Sequence, residues 1–151
     1  MNSNEKCVEV LNDLIRINND RIEGYQKAAQ ETQPEDGDLR NIFQQMAQES
    51  RQFKQELAAE VVHHGGEVAE GTMASGKIYR AWMDVKAAFT GGDRKTILDS
   101  CEFGEDAAKK AYKEAGETEG IPTHVQQLII RQKQSVIASH DKIKILRDRQ
   151  G

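Results

Sequence analysis

Proline is scarce in this chain, with 2 in 151 residues. They are Pro34 and Pro122, so no proline breaks a helix across the long stretches on either side of them. Cysteine is equally scarce, and Cys7 and Cys101 form no metal or redox spacing. That excludes a disulfide framework and fits two reduced thiols in a cytoplasmic protein. There is no basic excess. The net charge is −4 and the pI about 5.6, which argues against a nucleic-acid surface. No apolar run reaches the ~18 residues of a membrane span, so no integral membrane segment is expected. Residues Met1 to Cys7 are polar, which does not fit a secretory leader. No Ser/His/Asp arrangement, phosphate loop or cofactor fingerprint occurs, so no catalytic or cofactor-binding residue is assigned.

What is present is helical patterning. Charged residues make up 30% and apolar residues 37%, the balance of a soluble helical domain. The pattern predicts one all-α domain over residues 1–151 with helices over 4–30, 38–64, 76–89, 93–116 and 122–149. On the first, Val8, Leu11, Ile15, Asn18, Ile22, Tyr25 and Ala29 recur at helical steps, with Asn18 as the polar member. The turn Gln33-Pro34-Glu35-Asp36-Gly37 follows. The second helix, with Asp38 as expected N-cap, carries Leu39, Phe43, Met46, Ser50, Phe53, Leu57 and Val61, and Gly65-Gly66 ends it. A short turn makes these two helices antiparallel neighbours.

Residues 66–92 are too long for a hairpin loop. A short helix over 76–89, capped by Ser75 and carrying Ile78, Trp82, Val85 and Phe89, spans about 21 Å. The rest, if extended, adds about 40 Å. Such a crossover traverses the bundle and makes the second and third long helices parallel. The third presents Ile97, Cys101, Gly104, Ala108 and Tyr112. The fourth opens at Pro122, whose missing N–H costs nothing in a first turn. It presents Val125, Leu128, Gln132, Val136, Ser139, Ile143 and Leu146, with Ile130 and Ile137 on the opposite face.

Two hairpins joined by a crossover are the ferritin-like four-helix arrangement. Several stretches resemble, more closely, the bacterial four-helix-bundle family of unknown function DUF2383. They are Leu11 to Ile15, Asn19 to Tyr25, Ser50 to Phe53, Tyr79 to Lys86, Cys101 to Ala108 and His140 to Ile143. The resemblance spans nearly the whole chain and implies the fold. It implies no activity, because the family has none established.

The ferritin-like resemblance implies where two iron or manganese ions would sit. In that pattern a Glu stands where Asn18 is, seven residues before Tyr25. Glu49 matches, but Gln52 replaces a His. Glu105 lies nearer the inner face than Glu102. His140 matches, but Ile137 replaces a Glu. The survivors Glu49, Glu105 and His140 suffice for one mononuclear site and not for two bridged ions. Two readings follow. In one, the centre is lost, and Asn18, Tyr25, Ser50, Gln132 and Ser139 pair as a neutral buried hydrogen-bond layer that fixes helix register. The chain is then a non-enzymatic bundle without a cofactor, in a stress-associated or interaction role. In the other, a reduced iron or manganese site supports binding or oxidoreductase chemistry.

The remaining candidates read structurally. Gly104 marks close helix approach or room for the Tyr25 or Tyr112 ring, with a small cavity as the functional alternative, and Cys101 is a small buried hydrophobe. His63-His64, next to Gly65-Gly66, read as a solvated helix end, with adventitious metal binding as the alternative, and His124 reads as surface. The 76–89 helix, with Lys77, Arg80 and Lys86, packs on the bundle or offers an interfacial face. Partner expectations are self-association through Ile130 and Ile137 or through the crossover helix.

Overall fold

The computed structural model describes residues 3–71 and 94–150. The expected crossover helix at 76–89, with Trp82 and Phe89, lies outside the described residues. Within them the chain is all-α: α1 (Ser3–Glu31), a single 3-10 turn (Pro34–Asp36), α2 (Gly37–His63), α3 (Arg94–Gly116) and α4 (Thr123–Asp148). None of these helices is long and apolar enough to cross a membrane.

The four helices pack as two antiparallel hairpins, α1 with α2 and α3 with α4, which meet mainly through α1 and α3. Helix α1 is buried over a wide arc because it has two broad neighbours. Leu11, Ile15, Tyr25 and Ala28 are fully buried, and so are the polar Asn18, Asp20 and Arg21. The apolar stripes of α2, α3 and α4 close the core around Phe43, Leu57, Ile97, Tyr112, Val125 and Val136. Tyr25 stacks on Phe43 with ring centroids 5.8 Å apart.

The first turn is tied at both ends. Thr32 Oγ1 donates to the Ala28 carbonyl at 2.6 Å, and Arg40 donates to the Thr32 carbonyl at 3.0 Å. Asp38 is not the N-cap. That place falls to Asp36, whose side chain makes no capping bond, because both carboxylates face Arg94. Arg94 donates to Asp36 at 3.1 Å and to the two Asp38 oxygens at 3.0 and 2.8 Å. The start of α3 therefore lies beside the start of α2, and the two helices run parallel. Helix α2 ends as expected at Gly65-Gly66. The Gly66 amide bonds the Val61 carbonyl, the Gly65 amide bonds that of Val62, and Gly65 has φ 76°. This is a Schellman closure, which needs the positive φ that glycine tolerates.

Beyond that closure the chain is laid along α1 by asparagines. Asn4 donates to the His64 carbonyl at 2.6 Å, and Asn19 to that of Gly71 at 2.7 Å. Between them Asn12 donates to the Glu67 carbonyl and accepts from the Ala69 amide, both at 2.9 Å. From Asn4 to Asn19 the helix rises about 22 Å. An extended chain from His64 to Gly71 covers about 23 Å. The similar lengths let the chain, once past the turn at 64–66, follow α1 back toward the end of the bundle where α3 begins.

Candidate functional site

At mid-height α1 turns Arg21 inward. Its side chain is fully buried, which demands partners for each guanidinium nitrogen. Glu105 of α3 takes two bonds, from Nε at 2.6 Å and from Nη2 at 3.0 Å. Ser50 of α2 accepts from Nη1 at 2.7 Å. Glu49 Oε1 lies 3.4 Å from both terminal nitrogens. The Tyr25 ring covers the remaining side, with the Arg21 Cζ 5.7 Å from its centroid, within cation–π range. Ser139 of α4 donates to the same Glu49 oxygen at 3.2 Å, so all four helices contribute to one ionic layer.

The carboxylates around Arg21 hold it firmly protonated, against the opposing effect of burial. Burial pushes the Glu105 carboxyl up, and the Arg21 guanidinium restrains that rise. Burial also raises the Tyr25 phenol well above its ordinary range. One helical turn away a neutral chain adjoins this layer. Asn18 Nδ2 donates to the Leu14 carbonyl and to the Tyr112 hydroxyl, both at 2.8 Å. Tyr112 donates to Gln132 Oε1 at 2.7 Å. Gln132 Nε2 reaches the Phe53 carbonyl at 3.3 Å and Glu56 at 3.1 Å.

All five residues of the expected neutral layer, Asn18, Tyr25, Ser50, Gln132 and Ser139, are buried. They pair through Tyr112 and through the ions Arg21 and Glu49, and the layer is charged. Periodicity missed Arg21 because positions 21 and 22 both fit the stripe, and hydropathy favours Ile22. In the structure Arg21 is buried and Ile22 is only half-buried. Gln52, read against an inward His, is exposed on α2, and Ile137 is half-buried where an outward face was expected.

Of the metal candidates, Glu49 and Glu105 meet across the Arg21 guanidinium. His140 is turned toward other carboxylates, with Nε2 3.6 Å from Glu102 and 3.4 Å from Asp106, and Nδ1 3.1 Å from Asp141. Arg147 completes that cluster through Glu102, Asp99 and Asp148. Among the described residues, the three carboxylate, imidazole or thiol side chains whose ligand atoms converge are Glu60, His64 and His124.

No curated protein matches the chain. A family model described as "Domain of unknown function (DUF2383)" matches residues 6–118, from the first turn of α1 to the end of α3, including Arg21, Glu49, Ser50 and Glu105. By that match, over well more than half its length, the chain belongs to the DUF2383 family.

Proposed function

We propose that this chain is a non-catalytic bundle of ferritin-like ancestry, which acts through its surface as an interaction protein. The observation that carries the reading is the Arg21 guanidinium bonded to Glu105 and Ser50. It brings one fixed positive charge to the centre of the bundle, between carboxylates that an ion would otherwise neutralise. A guanidinium cannot give up its proton there or open a coordination position. The interior layer then serves helix register, and function falls to the outer faces. Helix α4 supports this, since besides its buried face it carries Ile130 and Ile145 exposed to solvent. Self-association through that outer face, with the half-buried Ile137 two turns from Ile130, is the partner arrangement this reading favours.

The competing reading is iron or manganese on Glu49, Glu105 and His140. Its support is that His140 follows Ser139, which bonds Glu49, so the imidazole stands on α4 next to the ionic layer. Metal analysis of untagged protein after incubation with ferrous iron or manganese separates the two. The proposal expects no ion whose retention depends on His140. Stoichiometric iron or manganese that is lost in His140→Ala would overturn it.

A further inference from the structure

We propose that Glu60, His64 and His124 bind one divalent transition ion of the zinc class at the end of the bundle where α2 stops and α4 starts. Glu60 is in the last turn of α2 and His64 is its C-cap, four residues on, so their side chains come to the same side. His124 is in the first turn of α4, which runs antiparallel to α2 and brings that turn alongside. One ligand atom from each residue lies within 4.8 Å of the other two.

The spacing suits an ion. Around a tetrahedral zinc with bonds of roughly 2.05 Å, donor atoms sit about 3.3 Å apart. Here Glu60 Oε2 is 3.1 Å from His124 Nε2 and 3.8 Å from His64 Nδ1. Two imidazoles and one carboxylate favour a borderline transition ion over calcium or magnesium, which prefer all-oxygen shells. His64 Nδ1 also lies 2.8 Å from the Glu60 carbonyl oxygen. An ion taken by Nδ1 replaces that contact, with the single proton of the neutral ring carried on Nε2.

The site is held in place before any ion arrives. Asn4 fixes the His64 carbonyl, and the Schellman closure fixes the turn that follows it. Gly66 packs so tightly that a Cβ there would lie 2.6 Å from Val8 Cγ1. The His64 and His124 rings are parallel within 13°, with centroids 5.8 Å apart. The His64 side chain is 10% exposed and that of His124 is 55% exposed, so one side is walled and the other open. An ion enters from the His124 side and keeps water in a fourth position. Once bound, it ties the first hairpin to the second, far from the Arg21 layer.

The test is titration of untagged full-length protein with zinc chloride, followed by calorimetry and thermal melting. One zinc per chain is expected, with a rise in Tm of about 5–10 °C at a hundredfold excess over Kd. His124→Ala should weaken binding more than about 100-fold. Because His124 is half-exposed, the variant should keep its helical spectrum, and Glu60→Gln supplies an independent check. His140→Ala should bind as the parent does. The proposal is overturned if zinc does not bind, if His124→Ala and Glu60→Gln bind unchanged, or if binding disappears in His63→Ala while surviving in His124→Ala.

Discussion

Arg21 and Glu105 belong to different hairpins and meet through two hydrogen bonds, of 2.6 and 3.0 Å, with both side chains fully buried. The pair is the main polar link across the α1/α3 seam. A buried ion pair gains little over an apolar pair of the same volume, yet loses much when one partner goes.

Arg21→Met should therefore cost about 3–5 kcal/mol, because Glu105 would be left buried without its cation. The double variant Arg21→Met, Glu105→Leu should recover most of that loss. Urea unfolding of the two singles and the double makes the cycle. A double variant as unstable as the singles' summed losses would show that the layer's value is not in the pairing.

Tyr112→Phe should cost about 1–3 kcal/mol, by leaving the Asn18 amide and the Gln132 carbonyl without their shared hydroxyl. Burial pushes the Tyr112 phenol well above its ordinary range, while the Asn18 bond pulls it back. In an ultraviolet pH titration, Tyr112→Phe should remove an ionisation seen only in the strongly alkaline region where the fold itself fails. Loss of an ordinary phenol step instead would mean that Tyr112 is exposed.

Asn12→Ala removes both bonds that hold residues 67 and 69. Hydrogen exchange should show the Ala69 amide losing most of its protection, with the amides of α3 unaffected. A loss of roughly 1–2 kcal/mol in stability is expected. Unchanged exchange at Ala69 would mean that the extended segment is held by something other than Asn12.

The Arg94 bond holds the Asp38 carboxyl down to about 2, from an ordinary 3.8. A carboxyl depressed by folding adds stability that is complete above about pH 4 and drains away as pH falls toward 2. Asp38 is exposed, so the contribution is small. Asp38→Asn should flatten the Tm profile across that acid window and leave it unchanged near neutrality. An equally steep acid limb in the variant would assign the slope to other carboxylates.

The helices were legible because their apolar stripes are long and regular, and because Pro34, Gly65-Gly66 and Pro122 stand at the breaks. The parallel run of α2 and α3 was legible from the length of the connection. Arg21 was harder to see. Burial of an arginine is decided by partners on other helices, and Glu105 and Ser50 lie 84 and 29 residues away. The histidine group at the bundle end was visible only in part, since His63-His64 offered an adventitious metal contact while His124 read as surface. His64 and His124 are distant in sequence, and only the antiparallel pairing of α2 with α4 joins them. Asn4, Asn12 and Asn19 carried a readable signal, since they fall at steps of eight and seven residues on one helix face. A polar stripe of that kind reads as solvated until the segment it holds is placed beside it.

That asparagine ladder also bears on the order of events during synthesis. Every one of its bonds joins residues no later than Gly71. A nascent chain thus carries the complete ladder before the first residue of α3 has been translated. The path of residues 66–71 is then set by the first hairpin alone, and it leads toward the end of the bundle where the second hairpin begins.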